Sequence, residues 1–209
     1  MKYEWQFVIL RNCYFCKHYL IMKKLIIPLI AVFITSAATA QSGGNLPPLD
    51  KSPMDISYYP VNHPVLRIQE KAMEPLVARV LYSRPMKSGR TIFGGLVEYG
   101  KIWRLGANEA TEIEFYRHVK IGTKKIQKGR YTMYALVNEN TWTIIINKET
   151  DIWGAFKYDI KKDVVRMEVP VQNADQLVEA MSIFFEKSTE GANLVMTWEN
   201  VRVTLPITF

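Results

Sequence analysis

Cysteine is almost absent from this 209-residue chain: Cys13 and Cys16 are the only two. Their C-x-x-C spacing suits a redox pair or half a zinc site, yet no second pair follows and only His18 stands nearby. Histidine is equally scarce, with His63 and His118 alone beyond residue 40. A zinc hydrolase needs more imidazole than that, or a His pair at fixed spacing on one element. Asp50, Asp55, Asp151, Asp159 and Asp163 make no EF-type calcium loop. Gly-x-Ser-x-Gly, the P-loop and the dinucleotide fingerprint are missing as well. No metal and no cofactor is therefore expected. Nor does any apolar run reach the roughly 20 residues of a membrane-spanning helix.

What the first forty residues do contain is a secretory pattern. Lys23 and Lys24 follow Met22, an apolar run covers Leu25 to Ile34, and Ala38-Thr39-Ala40 closes the stretch. A basic start, an apolar core of about ten residues and an A-x-A site are the three parts of an export signal. Cleavage is expected after Ala40, with the protein in the periplasm or outside the cell and no integral membrane segment left. Residues 1–21 then precede the signal, either as an extension ahead of a true start at Met22 or as a long basic leader. The expected layout is 1–21 extension, 22–40 signal, 41–51 flexible linker rich in Gly, Pro and Ser, and 52–209 a single domain.

Cleavage would remove five basic residues and one acid, leaving 22 basic against 19 acidic residues where the whole chain carries a net +7. A nearly neutral domain offers no electrostatic reason to bind nucleic acid. It would also hold no cysteine, which excludes a disulfide, a thiol nucleophile and a lipid-acylated anchor.

The rest reads as strands. Ser52–Pro60 is bracketed by prolines and is expected to run extended along an edge; Val65–Glu70 and Leu76–Ser83 are β-branched and apolar. Glu112–Tyr116 and Val119–Ile121 alternate, and Lys124–Gly129 is a turn-rich return. Arg130–Val137 and Thr141–Asn147 flank Asn138-Glu139-Asn140, the clearest hairpin in the chain. Val164–Val171, Leu194–Trp198 and Val201–Ile207 follow, with Asn200 as a turn between the last two. Asn173 to Lys187 fits two periods, and the neighbouring strands favour a turn or short helix to about Glu179 and a strand from Ala180. Nine or ten short strands with at most one short helix make an all-β fold, an antiparallel β-sandwich or a partly closed barrel.

The densest chemistry lies in Tyr82–Thr111, which holds five glycines, three arginines, Trp103, Asn108 and Glu109. Two-carboxylate chemistry would draw on Glu98, Glu109, Glu112 or Glu114, but Glu112 and Glu114 share a strand face and read as solvated. Arg84, Arg90, Trp103, Arg104, Asn108, Glu109 and Thr111 form the candidate ligand-binding set. Arginine forks grip carboxylate or phosphate, Trp stacks on a ring, and Asn fixes orientation. The same residues also fit an internal knot, with Arg104 paired to Glu109 or another acid and Asn108 bonded within its turn.

The segments SRPMKSGRTIFGGLVEYGKIWRLGANEAT, KGRYTMYAL, TWTIIINK, WGAFKYD and TWENVRVTLPI resemble the bacterial family called domain of unknown function 2911. The resemblance covers about Ser52 to Phe209. It implies a β-rich protein of the Gram-negative envelope or exterior and supplies no activity, so no catalytic role carries over. The seven candidate residues match motif positions. The family pattern usually has proline at Glu98 and often threonine at Leu105, so no site is built on Glu98. The function expected is binding rather than catalysis: an exported domain holding a small molecule, a glycan or an envelope protein through the Arg84–Thr111 face. The alternatives are a hydrolase of envelope glycans or peptides with Glu109 as acid/base, and a purely structural envelope module.

Overall fold

In this computed structural model residues 47–209 are described; the expected extension, signal and first part of the linker lie outside the described residues. Ten strands, all paired antiparallel, make up the described chain: β1 Met54–Tyr59, β2 Ala78–Ser83, β3 Ile102–Trp103, β4 Glu112–Phe115, β5 Val119–Ile121, β6 Lys124–Ile126, β7 Gly129–Val137, β8 Thr141–Asn147, β9 Asp163–Ser188 and β10 Gly191–Thr208. One short helix, α1 His63–Ile68, and a 3-10 turn at Ile160–Lys162 complete it. No helix among the described residues is long and apolar enough to cross a membrane.

The strands run in the order β1-β2-β4-β7-β8-β9-β10-β5-β6, with β3 beside β7, and the path does not close. β9 makes the sandwich. Its first part pairs with β8 and its second part with β10, so one strand carries the chain from one leaf to the other. Beyond β2, Lys87 N donates to Glu179 O at 2.7 Å and Met181 N to Pro85 O at 3.0 Å, which ties the first leaf to the far half of β9.

Between the leaves lies one core. Val80, Ile113, Met133 and Ile144 come from the first leaf, and Ile183, Phe185, Leu194, Met196 and Leu205 from the second. Alternation explains most of these positions, because every second side chain of a strand faces the same side. The run Ile144-Ile145-Ile146 breaks alternation because both faces of β8 are covered. Ile144 and Ile146 join the main core, while Ile145 packs with Ala110 and Tyr134 under Ile102, Ile152, Ala155 and Tyr158. The loop between β8 and β9 therefore roofs the outer face of the first leaf.

Four local expectations need correction. Val65–Glu70 is not a strand: Pro64 sits in the first turn of α1, where its missing N–H costs nothing, and no strand partners the segment. Asn173–Glu179 is neither helix nor turn but part of β9, because pairing with β10 decides what periodicity left open. Thr197 faces Ser182, Glu199 faces Val178 and Val201 faces Asn173, so β9 holds five more residues than β10 across two register shifts at Glu199, a large irregular bulge. Likewise Lys124–Ile126 is β6 rather than turn, and the break before Val201 is a bulge at Glu199 within one continuous β10. The Asn138–Asn140 hairpin and the edge position of β1 match expectation.

Candidate functional site

The seven residues picked from the sequence do not share one surface. Arg84 is a tie between strands: its guanidinium donates to Asp55 Oδ2 of β1 at 3.0 Å, and to Met181 O and Ser182 Oγ of β9 at 3.0 and 2.9 Å. Arg90 is exposed and folds back on its own turn, donating to Lys87 O at 3.0 Å and Met86 O at 2.5 Å. Trp103 is buried, donates its indole N–H to Gly106 O at 3.2 Å and stacks on Trp198 with ring centroids 6.1 Å apart. Thr111 is buried too, its hydroxyl held by Leu105 O at 2.5 Å.

The other three, Arg104, Asn108 and Glu109, belong to one turn, pinned by Thr111 N donating to Arg104 O at 3.0 Å. Asn108 donates to Asp50 Oδ2 at 2.9 Å rather than within its own turn. Glu109 is exposed and bridges through its backbone to Trp153; Arg104 makes no salt bridge with any described acid. Glu112 and Glu114 lie on one face, as their spacing requires, and are held by Arg130 at 3.5 Å and Arg79 at 2.8 Å. His118 is exposed and accepts from Lys128 N at 3.2 Å.

What the glycine-rich stretch does build is one wall of a cleft of ≈ 790 Å³. Lys87, Phe93 and Tyr99 come from this stretch, Glu139 and Asn140 from the β7–β8 turn, Val171, Asn173 and Leu177 from bulged β9, and Glu199, Asn200 and Val201 from β10. The floor is rigid. Phe93 packs against Trp142, Trp103 and Trp198 at centroid distances of 5.1, 6.0 and 6.4 Å.

Tyr99 is the platform. Its ring leans on residue 94, where a Cβ would lie 2.9 Å from Cε2, and Gly94 has φ +82 besides. Only glycine meets both conditions. Gly94 N donates to Val97 O at 2.9 Å, closing the tight turn that sets the ring there, and the ring stays 43% exposed.

The cleft is also lined by an ion pair, Lys87 Nζ to Glu199 Oε1 at 3.5 Å, with both side chains 16% exposed. Glu199 Oε2 also accepts from Ile92 N at 3.4 Å. The backbone of Glu199 is left-handed, φ 57, a conformation that costs a non-glycine residue about 1–3 kcal/mol and gathers at functional sites. Asn140, Asn173 and Asn200 line the rim with exposed amides. Each can donate and accept.

None of the seven residues selected from the sequence lines this cleft; the sequence singles out only the glycine-rich stretch that carries Lys87, Phe93 and Tyr99, and not Glu139, Asn140, Asn173 or Glu199. These come from three distant segments that strand pairing brings together: Val171 N donates to Asn140 O at 2.9 Å, and Asn173 faces Val201 across β9 and β10.

The profile of a family described as Protein of unknown function (DUF2911) matches residues 66–207. No curated protein and no solved structure matches the chain.

Proposed function

Because the chain belongs to this family of unknown function, membership brings no activity, and we propose from the geometry that the protein is an exported binding domain whose cleft holds an oligosaccharide. One observation carries this: the ring of Tyr99 and the amides of Asn140, Asn173 and Asn200 line one cleft of ≈ 790 Å³. That volume lies within the roughly 300–1,000 Å³ of small-molecule sites. Such sites are mostly apolar, whereas this lining is largely polar, which suits a ligand covered in hydroxyls. A sugar ring has an apolar C–H face to lie on Tyr99 and an edge of hydroxyls for Asn140, Asn173, Asn200 and Glu139. The export signal expected from the sequence motivates an envelope or extracellular glycan as the source.

The binding role expected of Arg84–Thr111 is kept for the stretch, through Lys87, Phe93 and Tyr99, rather than for the seven residues first selected. Hydrolysis through Glu109 gains no support, since Glu109 is not among the residues lining the cleft and forms no ion pair with Arg104. The test is isothermal titration with tetrasaccharides of glucose and N-acetylglucosamine in α- and β-1,4 linkage. Saturable binding by wild type and its loss in Tyr99→Ala are expected; no binding of any member would count against the proposal.

A further inference from the structure

Four arginines among the described residues are partly buried: Arg79, Arg84, Arg104 and Arg202. Three have a carboxylate. Arg79 reaches Glu114 at 2.8 Å, Arg84 reaches Asp55 at 3.0 Å, and Arg202 reaches Glu186 at 2.8 Å. Arg104 has none among the described residues, and its Nε is buried with no acceptor. Burial alone acts on its ionisation, pushing it down from the ordinary arginine value with no acid to offset the effect. A guanidinium taken from water without a counter-charge is costly. A fold that needed only the packing would do better with an aliphatic side chain.

Local structure explains how the side chain is held there. Trp103 takes the inner face and Ile102 packs on the outer patch, so Arg104, two residues after Ile102, falls on the outer side by alternation. The turn after it is fastened to the roofing loop: Ala110 N donates to Ile152 O at 2.8 Å and Gly154 N to Asn108 O at 2.9 Å. Beside this junction Trp153 is 60% exposed, a large aromatic left uncovered. The acids beside the turn do not pair with it: Asp50 accepts from Asn108, and Glu109 is exposed and forms no ion pair with Arg104. A second buried polar atom on this face, Tyr134 Oη, also lacks a partner. Glu149 and Asp163 act on it electrostatically, so it is not assigned to the same ligand.

We propose that Arg104 binds an anionic oxygen group, a carboxylate or phosphate, of a ligand seated where the 104–111 turn meets the 152–154 loop. The planar fork supplies paired donors to such a group, and a ring attached to it can lie against Trp153. The site is separate from the cleft, whose lining does not include Arg104, so either can fail without the other.

The experiment is a thermal-shift titration of the protein with inorganic phosphate and with succinate, each against sodium chloride at equal ionic strength. Wild type is expected to gain several degrees, saturably, with one of the two anions beyond the chloride control. Phosphate alone would identify a phosphoryl group, and succinate alone a carboxylate. Arg104→Met is expected to melt at or above wild type without anion and to lose the shift, while Arg104→Lys keeps a weaker one as a point charge. A shift matched by chloride, or one retained in full by Arg104→Met, would overturn the proposal. So would no anion response in wild type. If Arg104→Met fails to fold, the wild-type and Arg104→Lys titrations still decide.

Discussion

Tyr99 lies so close to Gly94 that a Cβ on residue 94 would sit 2.9 Å from its ring. One position therefore sets both the turn and the platform. Gly94→Ala must enter the left-handed region at φ +82, at a cost of about 1–2 kcal/mol, and must push the ring away. The expected result is a modest fall in melting temperature with complete loss of ligand binding. Tyr99→Phe should keep both stability and most of the binding, because the platform needs only the ring.

Arg84 and Arg90 were indistinguishable as sequence and are predicted to separate in a melt. Arg84→Ala removes three hydrogen bonds that join β1, β2 and β9. Its side chain is 36% exposed, so solvent screening reduces the loss to about 1–2 kcal/mol. Arg90→Ala should change stability by no more than about 0.5 kcal/mol, as an exposed side chain bonded only to its own turn. Urea denaturation of both variants is the measurement.

Asn147 is fully buried and holds the roofing loop at three points. Its amide donates to Asp159 O at 3.1 Å and Asp163 Oδ1 at 2.9 Å, and its carbonyl accepts from Glu149 N at 2.9 Å. Asn147→Ala leaves these groups unmet, at a cost of about 1–3 kcal/mol. Hydrogen exchange should show Ile152–Tyr158 losing protection before β7 does.

Tyr134 and Tyr158 make alkaline pH a probe of the same loop. Burial first, and the charges of Glu149 and Asp163 after it, push Tyr134 up to about 12; burial and its bond to Asp163 do the same for Tyr158. A folded-state value above the unfolded 10 means that the folded protein holds the proton longer. The stability is present below pH 10 and is lost as pH rises toward 12, by roughly 2–3 kcal/mol for the fully buried Tyr134. Tyr134→Phe should be neutral or slightly stabilising at pH 7, because the hydroxyl has no partner among the described residues. Between pH 10 and 12 it should flatten the decline.

The strand pattern made the fold legible because most of it obeys alternation. Met181, Ile183 and Phe185 point into the core although helical spacing also fitted the segment. The site was less legible, and for a physical reason. The arginines and Trp103 drew attention through their chemistry, yet Arg84 serves strand pairing, Trp103 serves the core, and only a neighbour map separates such uses from binding. Glu199 and Asn173 carry no local mark. They line the cleft beside Tyr99 where β9 holds five extra residues opposite β10, which register reveals and composition does not.

The most direct test follows tryptophan fluorescence during titration with the tetrasaccharide panel, comparing wild type with Tyr99→Ala and Asn200→Ala. Trp103, Trp142 and Trp198 pack on Phe93, the cleft floor, so occupation should change their emission. A saturable change in wild type, absent in Tyr99→Ala and weakened in Asn200→Ala, is the predicted result. No change with any member of the panel, or the same change in all three proteins, would contradict a glycan-binding cleft.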